Sequence, residues 1–152
     1  MWIKQVLSVY DYEKEYRVLV ARRPDEEQLE TWRRGVVLED GYKTASAQVW
    51  MDRPQGKGAW LRVVLKEGRK RQIRETGTLL GLPVVKIIRV RIGSLQLGGL
   101  KPREWRYLSE AEVAALKEPT TLKGQPGKGE YKAKKSEGTS RPRRVLEKGK
   151  RR

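Results

Sequence analysis

The chain has no cysteine, no histidine and no phenylalanine among its 152 residues. Without Cys or His it cannot build a zinc finger, a thiol nucleophile, a Cys-His pair, a Ser-His triad or a disulfide frame. A reduced, cytoplasmic setting is therefore the simplest expectation. The opening Met1-Trp2-Ile3-Lys4-Gln5 lacks the apolar run of a signal peptide, and no stretch approaches the roughly 18 apolar residues that span a bilayer. No membrane partner is expected. The absent Phe also removes the aromatic signature of an RRM. No Walker loop, dinucleotide fingerprint, set of metal ligands or fixed-period repeat is visible. Gly124-Gln125-Pro126-Gly127 matches the GxxG of KH domains by letters alone, with no helix pair around it.

What the chain has in excess is positive charge. Thirty-five Lys and Arg face 19 Asp and Glu, a net +16. Residues 117–152 hold 13 basic and 4 acidic side chains, so +9 sits in that stretch and +7 (16 minus 9) in the rest. That segment is rich in Gly, Pro, Ser and Thr and poor in large apolar groups, so it cannot offset the entropy of ordering itself. It is expected to be a disordered basic tail behind a single domain over residues 1–116, and such a tail suits a polyanion, RNA above all.

Within the domain, residues 15–21 alternate Tyr16, Val18 and Val20 on one face with Arg17 and Leu19 on the other, which predicts a half-buried strand. Pro24 suits the first turn of a helix, Asp25, Glu26 and Glu27 complement its positive end, Leu29 and Trp32 share a face, and Gly35 stops it. Strands are expected over 36–38 and 45–51 around a turn at Asp40-Gly41, then a loop over 52–58 and a strand over 59–66. A basic turn leads into a helix ending near Gly81, with Ile73, Gly77 and Leu80 on its inner side. Residues 84–92 form a strand, with Val85 and Ile87 on one face and Val84, Lys86 and Ile88 on the other. Ser109-Glu110-Ala111-Glu112 has the spacing of a capping box and opens a last helix to about Leu116. Trp105 and Ile92 are expected in the core. This order predicts an α+β domain with a mainly antiparallel sheet and short flanking helices.

Three strings taken in succession resemble the RsuA-like RNA pseudouridine synthases, the group that comprises synthase A of the small ribosomal particle and synthases B, E and F of the large one. They are Glu13-Lys14-Glu15-Tyr16 with Val18 and Val20; Glu67-Gly68-Arg69-Lys70-Arg71-Gln72-Ile73-Arg74; and Arg89-Val90-Arg91-Ile92-Gly93-Ser94-Leu95 continuing through Leu97-Gly98, Leu100-Lys101-Pro102 and Glu104-Trp105-Arg106. Arg33-Arg34-Gly35-Val36 through Leu38-Glu39-Asp40-Gly41 is similar to the family as well. The resemblance spans roughly residues 12 to 116. It implies part of a catalytic domain that isomerises a uridine within ribosomal RNA, breaking the glycosidic bond and rejoining the base through carbon 5, with neither metal nor cofactor. The target nucleotide would be flipped out of its stack. Tyr16 then matches the aromatic that stacks on the flipped base, and Arg74 the guanidinium that holds the catalytic carboxylate by a forked pair. As an RNA surface, Arg69, Lys70, Arg71 and Gln72 lie at the helix start, and Lys14, Arg89 and Arg91 extend it.

One part of the family pattern has no counterpart. The nucleophilic Asp of a Gly-Arg-Leu-Asp string precedes the motif tyrosine in the family, whereas the four aspartates here, Asp11, Asp25, Asp40 and Asp52, stand in other contexts. The small RNA-binding module that usually leads the family is absent too, Glu75-Thr76 replaces an Arg-Met pair, and Arg103 stands where Gly is usual. The expectation is a catalytic domain lacking its carboxylate segment, which either lies upstream of Met1 in a longer chain or is supplied by another polypeptide. Loss of strands ahead of Tyr16 would leave unpaired sheet edges and favour self-association. Two other readings stay open: a noncatalytic basic RNA-binding protein and a structural ribosome-associated protein.

Overall fold

The computed structural model describes residues 12–117. The expected tail thus lies almost wholly outside the described residues, as does Asp11. Among the described residues five antiparallel strands, β1 (Lys14–Val20), β2 (Gln48–Gln55), β3 (Gly58–Leu65), β4 (Val84–Ile92) and β5 (Leu95–Gln96), stand in the order β2-β3-β1-β4-β5, with three short helices around them. The α+β class expected from the residue pattern is the one observed.

The first strand, β1 (Lys14–Val20), sits mid-sheet between β3 (Gly58–Leu65) and β4 (Val84–Ile92). Its alternation works as read. Val18 and Val20 are fully buried and Tyr16 packs against the same core, while Arg17 lies on the opposite face with its guanidinium 5.1 Å from the Trp60 ring. Inward residues of β1 and β3 meet the helices in one cluster that includes Leu61, Val63, Leu29, Trp32 and Leu82. Burying each such side chain contributes roughly 1.5–3 kcal/mol.

Helix α1 (Glu26–Arg34) begins two residues beyond Pro24, which was expected in its first turn, because Asp25 is its cap and Pro24 precedes that cap. Gln28 N–H donates to Asp25 Oδ1 at 2.7 Å and Asp25 N–H to Gln28 Oε1 at 3.0 Å, so two backbone donors are satisfied reciprocally. Gly35 ends the helix at φ 89, and a Cβ there would lie 2.3 Å from the Thr44 carbonyl oxygen.

Three expectations about the sheet are corrected. Residues 36–38 form no strand, only an isolated bridge between Val37 and Lys43. The expected loop over 52–58 is largely strand: β2 runs Gln48–Gln55 and turns through Gly56 (φ 56) into β3. A bulge between Met51 and Arg53 absorbs the irregularity, and Pro54 is tolerated because β2 is an edge strand whose outer side has no partner among the described residues. Finally, Val84 and Ile87 do not face opposite ways. A register shift opposite Leu19 and Val20 leaves Val85 outside, 59 % exposed, and turns both Val84 and Ile87 onto the core.

Helix α2 (Gln72–Leu79) packs Ile73 and Gly77 inward as anticipated. A Cβ on Gly77 would stand 2.7 Å from both the Leu82 carbonyl oxygen and a Val84 methyl, so glycine is what lets α2 approach the chain entering β4. After β4 come the two residues of β5 (Leu95–Gln96), an irregular stretch, and α3 (Glu110–Lys117). The capping box is present: Glu112 N–H donates to Ser109 Oγ and Ser109 N–H to Glu112 Oε2. Ile92 is half-buried, but Trp105 is 73 % exposed, against the expectation that it belongs to the core.

Candidate functional site: a cationic cleft beside the central strand

Where β3 turns into α2, the chain encloses a cleft of about 270 Å³ beside the middle of β1. Tyr16 forms one wall, Ile87 and Leu65 the apolar floor, and Arg69, Arg71 and Arg74 the rim. Tyr16 reaches it because it follows the inward register of β1 and is directly opposite Val63 of β3 and Arg89 of β4. Arg74 reaches it from the first turn of α2, where Nη1 donates to the Val84 carbonyl at 3.1 Å and fixes the base of the guanidinium. The start of α2 is shaped by Arg71, whose backbone is left-handed at φ 64. A β-carbon in that region is costly, so the surrounding bonds must hold it.

Those bonds converge on Glu67. Its carboxylate accepts from Tyr42 Oη at 2.8 Å, from the Ala45 backbone N–H at 2.8 Å and from Gln72 Nε2 at 2.5 Å. The segment over residues 42–45, 22 to 25 positions away in sequence, is thereby tied to the cleft wall. The Glu67 hydrogen bond, reinforced by its charge, raises the Tyr42 phenol above its ordinary pKa. Arg69 lies over the Tyr42 ring, 4.3 Å from its centroid, and forms an ion pair with Asp40.

The residues singled out in the sequence separate into three groups. Tyr16, Arg69, Arg71, Gln72 and Arg74 line this one cleft. Lys14 stands at its border, where Nζ donates to the Lys66 carbonyl at 2.8 Å, and Lys70 is exposed on the turn beside it. Arg89 and Arg91 instead line a separate groove of about 330 Å³ with Leu95, Leu100 and Arg106. Arg91 is engaged there by Glu15 at 2.9 Å and Glu13 at 3.6 Å, which offset its charge. Gln72 is 4 % exposed and its amide nitrogen serves Glu67, so it is a wall residue. Glu67 and Tyr42 were not singled out as site residues from the sequence; Glu67 stood only as the first residue of the second string, and Tyr42 only beside the turn at Asp40-Gly41.

No aspartate among the described residues lines the cleft. Asp25 caps α1, Asp40 holds Arg69, and Asp52 pairs with Arg17 at 3.5 Å on the other face of the sheet. Among the described residues no group of three His, Cys, Asp or Glu could hold a metal ion, and no helix is long and apolar enough to cross a membrane.

No family model matches the chain. Individual proteins do. An uncharacterized RNA pseudouridine synthase of Aquifex aeolicus is 33 % identical over 119 residues, covering 78 % of this chain and 47 % of that protein. Ribosomal large subunit pseudouridine synthase E of Vibrio vulnificus is 36 % identical over 110 residues, covering 63 % of this chain and 47 % of its own length. A crystal structure of a pseudouridylate synthase superposes with a TM-score of 0.66 at 25 % identity, covering 76 % of this chain and 50 % of that one. This chain is a partial member of the RNA pseudouridine synthase family. It spans about half the length of the pseudouridine synthases it matches, and ribosomal large subunit pseudouridine synthase B of Escherichia coli (strain K12) is matched over 38 % of its length at 36 % identity. The family resemblance read from the three strings is thereby established for the part of the synthases that this chain represents.

Proposed function

We propose that the chain works as part of an RNA pseudouridine synthase acting on a uridine in ribosomal RNA, with the cleft as the seat of the flipped base. The observation that carries this reading is that Tyr16 and Arg74, 58 positions apart in sequence, border one cationic cleft. Tyr16 offers a planar platform against the base, a contact worth about 1–3 kcal/mol. Arg74 keeps donors beyond its bond to Val84 and orients the nucleophilic carboxylate by a charge-assisted pair. In this reading the carboxylate comes from outside the described residues, and Arg71 and Lys70 meet phosphates at the rim. The outer side of β2, which has no partner among the described residues, suits either added strands or a second copy of the chain.

The test is reconstitution. The full chain is mixed with the N-terminal half of the Escherichia coli relative, and tritium release from 5-tritiated uridine in a ribosomal RNA transcript is measured, with light scattering on the same samples. Release is expected in the mixture and is expected to fall at least 100-fold in Tyr16→Ala and Arg74→Ala. No release from the mixture, with RNA bound in a salt-sensitive manner, would move the protein to the noncatalytic RNA-binding reading. On single strands that salt dependence amounts to about 0.7 log units of affinity per log unit of salt for each neutralised phosphate.

A further inference from the structure

Tyr42 and Arg69 form a stacked pair at the rim that the cleft itself does not require. The guanidinium lies over the ring at 4.3 Å, Arg69 also lines the cleft, and Tyr42 lies outside it. Both members have a partner of their own: the Tyr42 hydroxyl donates to the Glu67 carboxylate, and Arg69 pairs with Asp40 through Nη2. The side chain of Arg69 keeps 36 % of its surface exposed, and no second aromatic ring covers it among the described residues. A guanidinium seated over an aromatic ring, with about a third of its side chain still in solvent, is a surface of the kind on which unpaired RNA bases stack. A plain phosphate contact would not need the ring or its Glu67 anchor. Asp40 moreover offsets the charge such a contact would use.

We propose that the Tyr42–Arg69 stack is a subsite for a nucleobase adjacent to the target uridine in single-stranded RNA. This rests on the functional reading above and adds a second base-binding position to it. With the target base in the cleft against Tyr16, its neighbour leaves the helical stack and lies on the exposed face of Arg69. The subsite takes any base, because stacking on a guanidinium uses the π-face and not the pairing edge. It thereby contributes affinity for an unstacked loop and little sequence preference.

The experiment uses the full chain and a short single-stranded RNA in which 2-aminopurine stands next to a central uridine. Affinity is read by anisotropy and stacking by 2-aminopurine fluorescence. The wild-type chain is expected to change the fluorescence at least twofold on binding. Arg69→Lys keeps the charge and removes the plane, so it is expected to abolish most of that change while altering affinity less than about threefold at low salt. Tyr42→Phe keeps the ring and is expected to retain the change in part, whereas Tyr42→Ala loses it. A fluorescence change that survives Arg69→Lys and Tyr42→Ala, with RNA still bound, overturns the subsite and leaves the functional reading standing. No RNA binding by the wild-type chain removes both.

Discussion

Residues 67–74 and residues 97–108 both carry family-like strings, and the fold treats them differently. In the first, Glu67 satisfies three donors, Arg69 pairs with Asp40, and Gln72 and Ile73 are buried at 4 % and 7 %. In the second, turns and an Arg106–Glu112 pair keep the chain in place, yet Trp105 and Tyr107 remain 73 % and 85 % exposed, meeting each other edge-on at 5.3 Å. The first stretch continues a strand paired on both sides, so its side chains fall against an existing core. The second follows a two-residue strand at the sheet edge and has little to fold against. Motif likeness thus fixes neither burial nor role; the neighbours of a string decide both.

The largest expected effect lies beside the cleft. Leu82 is fully buried between α2 and the core, and Leu82→Ala is expected to cost about 3 kcal/mol in urea unfolding of the full chain. A loss under about 1 kcal/mol would mean the core behind α2 is packed no better than the exposed stretch. A smaller, local effect belongs to Glu112, whose carboxyl is drawn down from 4.5 to about 2, first by the hydrogen bond from Arg106 and then by the Ser109 backbone. Because the folded pKa is the lower one, this contribution is whole above about 4.5 and is lost as pH falls towards about 2. The carboxyl carbon shift of Glu112 followed by NMR should titrate in that acid range, and Arg106→Gln should return it towards the ordinary value. The smallest effect is expected at Trp105→Ala, under about 0.5 kcal/mol in the same urea experiment, because the ring is mostly in water. A cost near that of Leu82→Ala would erase the contrast between the two stretches.

Much of the fold was legible wherever local pattern and tertiary use agree. The two-residue alternation of β1 separated Tyr16, Val18 and Val20 from Arg17 and Leu19, and the Asp25, Leu29, Trp32 and Gly35 spacing marked α1. Where pairing geometry intervened, the pattern misled. The same alternation put Val84 and Ile87 on opposite faces, but a bulge against β1 adds a residue and turns them together. Proline and glycines in residues 52–58 looked like a loop, yet an edge strand tolerates a missing backbone donor and the turn needs only Gly56 at positive φ. At the site, Tyr16 and Arg74 were visible through the motif succession. Glu67 carried no separate signal, because its partners Tyr42 and Ala45 are 25 and 22 positions away.

The amino-acid order alone determined the periodicities, the helix caps, the excess of positive charge and the absence of thiol and imidazole chemistry, since each depends on side chains within a few positions or on simple composition. Tertiary structure alone decided that Arg69, Arg71 and Arg74 face a common cleft while Arg91 is neutralised by Glu13 and Glu15. It also decided that a tyrosine and an arginine would stack at the rim. Those outcomes depend on strand register and on how helix α2 seats against β4, which arise from contacts between segments distant in the chain.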